Sequence, residues 1–292
     1  MPLPEKAIVN KSMQRLARSA VACCVAGALV SGCSSAPGDT SQETDGAKPS
    51  GQEITVATDA TYRPFETVDP ATKKIVGLDA DLVEAIGDTL GLTVKLTNVG
   101  FDSIVPGLQA RKYDAAASGI SVTPEREKVV DFVPYMSAGS GLAVQKGNPH
   151  DLKMEPLALC GHTIGAPKGT IQAIGQLPEI SAKCVAEGKP EISISQFPSQ
   201  DAVNLALSSG RIDAAMAANI SLAIQVEESD GALELAPGDP YDPSPVGIAF
   251  PKGSDLLPAV KTAMAQLDSS GELKKIVTKW GMPENSIYTG AS

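Results

Sequence analysis

The chain has 292 residues, with 34 Asp and Glu against 24 Lys and Arg, and a formal net charge of −10. An acidic body of this kind disfavours nucleic acid, whose phosphates need a basic patch. It also gives no electrostatic help to binding an anionic lipid surface, so any membrane link has to come from elsewhere.

At the N-terminus Arg15 and Arg18 precede an apolar run from Ala20 to Val30, and the run closes on Leu29-Val30-Ser31-Gly32-Cys33. Basic residues, a short apolar stretch and small residues in that order make a secretory signal. A cysteine directly after the small residues resembles a bacterial lipobox. That resemblance implies a diacylglycerol on the Cys33 thiol and cleavage that leaves Cys33 as the lipidated N-terminus. A membrane-spanning anchor needs about 20 apolar residues, roughly twice this run; a soluble secreted form is the other alternative. Residues 1–32 are read as the signal, beginning at Met1 or Met13. The expected location is extracytoplasmic, at the outer face of the cell membrane, where two acyl chains hold firmly and one does not.

Residues 1–32 contain Lys6, Lys11, Arg15, Arg18 and Glu5. Without them 20 basic residues face 33 acidic ones, a net charge of −13. Beyond Cys33, residues 33–52 have no apolar residue larger than alanine apart from proline. They cannot bury a core and are read as a disordered tether, reaching about 25 Å on average. About 240 residues then remain, enough for one large domain or two smaller ones.

From Ile54 onward short β runs alternate with amphipathic helices. Ile54–Ala57 reads as a strand. Asp79–Leu90 reads as a helix capped by Asp79, with Leu82, Ala85, Ile86 and Leu90 on one face and Gly91 as its stop. Thr93–Val99 alternates as a strand, Ser103–Ala110 is helical, and Asp114–Ala117 is a buried strand. Thr123 caps a further helix with Pro124 at its first position, where a missing N–H costs nothing. Ile164–Ala166 and Ile192–Ser195 read as strands. Ser199 caps a helix through Ser208, Ile212–Ala217 is a strand, and two helices follow at about Leu256–Asp268 and Glu272–Trp280. This alternation implies parallel sheets covered on both faces.

Cys160 and Cys184 are the cysteines left after the signal and the lipid site. An even pair in an oxidising compartment reads as one disulfide. The competing reading is a metal held by Cys160, His162 and Cys184, for which no fourth ligand is evident nearby. No other metal site and no cofactor is expected.

The segment Leu108–Ala116 echoes Leu207–Ala215 at an offset of 99 residues. Each is a helix end, a tight turn with a basic residue, and a strand opening Asp-Ala-Ala. Two lobes of one design follow from such a repeat. Ligands in open α/β sheets sit beyond the carboxyl ends of strands. That rule points to the loop Ser118–Ser121 and to Ala218-Asn219, brought together if the lobes face each other.

Several longer motifs resemble the polar-amino-acid solute-binding proteins of ABC importers. They are Asp59-Ala-Thr-Tyr62-Arg-Pro-Phe65-Glu66, Gly77-Leu-Asp79-Ala-Asp81-Leu82 and Phe101–Gln109. They continue with Tyr113–Arg126, Asp131–Tyr135, Val246–Gly253 and Lys279-Trp280-Gly281. The likeness runs from residue 53 to about 290, and the Cys160/Cys184 arrangement is similar to actinobacterial lipoproteins of this type. It implies an α/β fold, a two-lobed type II periplasmic-binding-protein clamshell with a ligand cleft between the lobes. Lobe one would be 53–137 plus 242–292 and lobe two 138–241, with a hinge near Ser137-Ala138-Gly139 and Tyr241-Asp242.

The resemblance also implies roles. Arg126 would grip a ligand α-carboxylate, since a guanidinium fork matches a carboxylate. Ser118, Gly119 and Ser121 belong to the same loop, where the Ser121 hydroxyl and the Gly119 N–H would add donors. Tyr62 and Phe101 would wall the ligand side chain, and Asp59 would meet a cationic one. Thr170 and Ile171 would offer N–H groups at a helix start, which suit an anion. Two positions depart from the family. Ile171 stands where Thr is usual, and Ala218 stands where an Asp meets the α-amino group, with neutral Asn219 beside it. Either Asp59 or another acid takes that contact, or the ligand is not a standard α-amino acid.

The expected function is a lipid-anchored receptor delivering a small polar solute, an amino acid or related carboxylate, to an ABC permease and its ATPase. An enzyme on the same fold, similar to cyclohexadienyl dehydratases, and a sensory ligand-binding subunit are the alternatives. The chain's two histidines, His150 and His162, lie outside the expected cleft loops, so no Ser-His-Asp set can be assembled there.

Overall fold

The computed structural model describes residues 51–290. The signal, Cys33 and nearly all of the tether lie outside the described residues.

β1 (Glu53–Thr58) leads into a small antiparallel sheet of β2 (Thr61–Tyr62), β3 (Glu66–Val68) and β4 (Ile75–Val76). Then come α1 (Leu78–Leu90), β5 (Thr93–Asn98), α2 (Ile104–Gln109), β6 (Ala115–Ala116) and the single turn α3 (Pro124–Glu127). The long strand β7 (Val130–Gln145) carries the chain into the second lobe. There β8 (Thr163–Pro167) is followed by a π turn (Gln172–Gln176) that runs into α4 (Leu177–Ala186). Next are β9 (Ser193–Phe197), α5 (Gln200–Ser208), β10 (Ala214–Ala218), α6 (Asn219–Glu227) and β11 (Leu233–Leu235). β12 (Tyr241–Pro251) returns to the first lobe, closed by α7 (Leu256–Ser269) and α8 (Glu272–Lys279).

The main sheet pairs in the order β5-β1-β6-β12-β7-β10-β8-β9, with β11 on β7. Both halves share one plan. In the first, β5, β1 and β6 are parallel and β12 joins antiparallel. In the second, β9, β8 and β10 are parallel and β7 joins antiparallel. The echo of 99 residues is structural. The Asp114 carboxylate accepts the Thr55 N–H at 2.9 Å, and the Asp213 carboxylate accepts the Thr163 N–H at 2.8 Å. Each aspartate ties the start of the third strand of its half to the first.

Each lobe has its own core. Val56, Leu82, Ile86, Tyr135, Ile248 and Phe250 pack in the first, and Leu142, Leu159, Ile164, Leu177 and Met216 in the second. β7 and β12 serve both, since Val133 and Tyr135 face the first core while Leu142 and Val144 face the second. The segments expected as a hinge fall within these two strands, at the register shift between Tyr241 and Ser244.

The structure corrects two local expectations and decides between two readings of the cysteines. The sheet is mixed, because β7 and β12 run antiparallel to their neighbours. Both strands escape pattern reading, since β7 contains Pro134, Gly139 and Gly141, and β12 has Pro243, Pro245 and Pro251. Proline in a run argues against a central strand, and register shifts in the β7–β12 pairing accommodate it here. Asp79 is not the cap of α1; Gly77 holds that position and Asp79 turns into the core, 1% exposed. Cys160 and Cys184 are joined by the expected disulfide, which consumes both thiols and removes the competing metal reading.

Candidate functional site

A cleft lies between the lobes, with about 600 Å³ of space free of protein atoms, its open mouth included. Asp59, Tyr62, Phe101, Gly119, Ser121 and Arg126 line it from the first lobe, and Thr170 and Ile171 from the second. Two expected residues lie elsewhere. Ser118 is behind the wall, 1% exposed, its hydroxyl between the Asp59 N–H and the Glu66 carboxyl. Asn219 opens α6 and lines a separate depression beside Leu142 and Ile220. His150 and His162 flank Asp213, at 3.2 and 3.4 Å, and do not line the cleft.

Local sequence places Arg126. The Thr123 hydroxyl caps α3 by accepting the Arg126 N–H at 3.2 Å, and Pro124 occupies the first turn. The Arg126 side chain donates to the Ser121 carbonyl at 2.7 Å and to the Gly169 carbonyl of the other lobe at 2.9 Å. Its guanidinium lies 5.6 Å from the centre of the Phe101 ring. The residue is 8% exposed, and among the described residues no carboxylate lies within 4 Å of it. Burial pulls its pKa down to about 10. A buried cation without a counter-charge is costly, and an incoming carboxylate removes that cost.

Among the described residues Asp59 is the one carboxylate on the cleft lining. It is 6% exposed and accepts from the Thr61 hydroxyl at 2.8 Å and the Phe101 N–H at 3.1 Å. Burial raises its pKa, with Asp201 and Asp102 adding to the rise. Ala218 lines the cleft too, and its N–H is taken by the Tyr62 hydroxyl at 2.9 Å, a bond between lobes. Tyr62 stacks on Phe65 with ring centres 5.5 Å apart.

Two glycines allow close approach. Gly119 has φ +54°, and a Cβ there would lie 3.1 Å from the Tyr62 ring. Gly169 has φ +76°, and its Cβ would lie 3.0 Å from the Asp102 backbone. The Gly119 N–H, expected to meet a ligand, donates instead to the Asp79 carboxylate at 2.8 Å. The Ser121 carbonyl, not foreseen as a contact, holds Arg126.

Beneath Gly119 sits a buried carboxyl pair. Asp79 also accepts from the Tyr135 hydroxyl, and Glu66 accepts from the Ser118 hydroxyl at 2.8 Å. Burial, then the neighbouring Asp79 charge, raises the Glu66 pKa well above the usual range. Burial raises Asp79 to about 6. Burial and the neighbouring Asp79 charge both favour the protonated form of Glu66.

Residues that sequence reading missed include Thr61, Ser140, Gln172 and Gln200. Gln172 donates to the Ser140 hydroxyl at 2.8 Å, which donates to Gln176 at 2.6 Å; Gln176 in turn donates to Asp242 at 3.2 Å. The one signal available for Gln200 was its place directly after the capping Ser199.

Comparison with known proteins agrees with this geometry. Residues 54–283 match the model of bacterial extracellular solute-binding proteins, family 3. An arginine-binding protein of Corynebacterium glutamicum is 33% identical over 234 residues, which are 80% of this chain and 76% of that protein. An ABC transporter arginine-binding protein of Escherichia coli K12 is 30% identical, covering 78% of this chain and 90% of its own. Among solved structures, an ancestral arginine-binding protein bound to arginine superposes with a TM-score of 0.72 at 30% identity, over 80% of this chain and 99% of that one. An ancestral amino acid-binding protein, a precursor of cyclohexadienyl dehydratase, gives 0.65 at 31% identity, over 78% and 95%. With its two-lobed type II periplasmic-binding-protein architecture, the chain belongs to the bacterial extracellular solute-binding proteins of family 3.

Proposed function

We propose that this protein is the receptor subunit of an ABC importer, held outside the cytoplasm by lipid on Cys33, and that it closes on an amino acid or related carboxylate. The observation that carries this reading is Arg126, a buried guanidinium on the cleft wall with no carboxylate within 4 Å among the described residues. A ligand carboxylate would complete it bidentately. Asp59 supplies one site for a ligand cation. The arginine named for several relatives puts basic amino acids first among candidates. Motion would occur at the β7 and β12 crossings, with lobe one as 53–137 plus 242–292 and lobe two as 138–241. Permease and ATPase are the implied partners.

The test is a thermal-shift screen of protein refolded to strip bound ligand, with Arg126→Ala in parallel. The panel pairs L-amino acids with the same carboxylates lacking an α-amino group. A ligand at 100 times its Kd stabilises by about 2.7 kcal/mol, a shift of roughly 5–10 °C for a chain of this size. Amino acids should shift the wild type and not the variant. Shifts by amine-free carboxylates alone would mean that Ala218 has redefined the substrate class. No shift by any carboxylate refutes the proposal.

A further inference from the structure

Gln200 lines the cleft and is 1% exposed, yet its Oε1 has no hydrogen-bond partner. A buried acceptor without a donor is uncommon and costly. An amide oxygen and nitrogen are told apart by their network, and here the network has a fixed end. The Ser221 hydroxyl donates to the backbone carbonyl of Arg63 in the other lobe. A carbonyl can only accept, so the one Ser221 proton is spent there. Ser221 Oγ must then accept from Gln225 Nε2, at 2.6 Å. Gln225 Oε1 therefore accepts from Asn204 Nδ2, at 2.6 Å. Asn204 Oδ1 accepts in turn from Gln200 Nε2, at 3.0 Å. Each step leaves the next amide one orientation, and the last leaves Gln200 with an oxygen to offer.

We infer that Gln200 is a specificity-determining residue whose Oε1 accepts an N–H from the cationic end of the ligand side chain, in an orientation set by the relay through Asn204, Gln225 and Ser221 to Arg63. This rests on the receptor reading above. The end of the relay crosses between lobes, so the acceptor is fixed in the closed arrangement. Asp102 and Asp201 add negative potential around Asp59 on the cleft wall, and Asp201 directly follows Gln200. A neutral acceptor beside an acidic wall suits a nitrogen cation with several donors and rejects an apolar end, because the carbonyl would stay unpaired.

The test is calorimetric titration of the full chain, stripped of ligand, with L-arginine and with L-norleucine, which has no side-chain donor. Gln200→Met should raise the L-arginine Kd about tenfold or more and change the L-norleucine Kd less than threefold. Ser221→Ala, outside the cleft lining, frees the relay to flip and should also shrink the preference for L-arginine. A loss of closure alone would weaken both ligands equally and leave the ratio unchanged. If Gln200→Met does not fold, the ratio in Ser221→Ala decides. An unchanged ratio in a folded variant, with wild type binding L-arginine, overturns the assignment of Gln200 alone and leaves its carbonyl to water. Wild type that binds neither probe overturns this inference, while the receptor reading stands or falls on the wider carboxylate panel.

Discussion

Glu66→Gln should make the protein more stable as pH rises, by an amount set by one proton. The groups around Glu66 are Asp79 on α1, Ser118 after β6, Asp59 after β1, and Tyr62 and Tyr135 on β2 and β7. None is cationic. Below about pH 4.5, the ordinary glutamate value, folded and unfolded chains both carry the proton. Above it the unfolded chain releases the proton while the folded chain keeps it, so stability falls as pH rises. One proton corresponds to about 1.4 kcal/mol per pH unit. Between pH 5 and 8 the gap between variant and wild type should widen by up to about 4 kcal/mol, while carboxylates outside the Glu66–Asp79 pair cancel in the difference. Gln keeps the shape and removes the charge, and its amide can still donate towards Asp79. Urea unfolding at intervals from pH 5 to 8 measures the gap directly. In thermal scans the same gap is roughly 8–16 °C at the upper end. Parallel wild-type and variant profiles over that range would show that the pair does not hold a proton, and the reasoning from burial would fail.

Two further outcomes follow from single contacts. Replacing Cys160 and Cys184 together by Ala opens a loop with a sequence separation of 24, for which chain entropy gives about 3 kcal/mol; thermal unfolding should drop by roughly 6–12 °C, and an unchanged midpoint would contradict the estimate. Asp114→Ala and Asp213→Ala each remove the acceptor for a strand N–H in equivalent places, so each should cost about 1–3 kcal/mol in urea unfolding, with additive losses in the double variant. A loss confined to one of them would break the equivalence of the two halves.

Much of the fold was legible because its signals are local. The apolar faces of α1 and α7, the Thr123 and Ser199 caps and the Gly91 stop lie within a few residues of what they control. The echo between Asp114 and Asp213 was visible as a repeat, and the structure shows its cause in two matching strand ties. β7 and β12 were not legible, since their prolines and glycines erase the alternation that marks a strand. Asp79 read as a cap because acids favour helix starts; burial against Glu66 and Tyr135 gave it another partner.

The sequence by itself determined the alternation of elements, the two-lobed plan and the residue types of the cleft, including Asp59 and Arg126. Tertiary structure alone decided what those residues face. Arg126 meets the Gly169 carbonyl 43 positions away, and Ser221 reaches Arg63 across 158. Neither separation has a period or a motif. Whether a buried guanidinium lacks a partner, or an amide shows its oxygen, depends on every neighbour that folding brings within hydrogen-bond distance. Such a property belongs to the assembled site and to no segment of the chain.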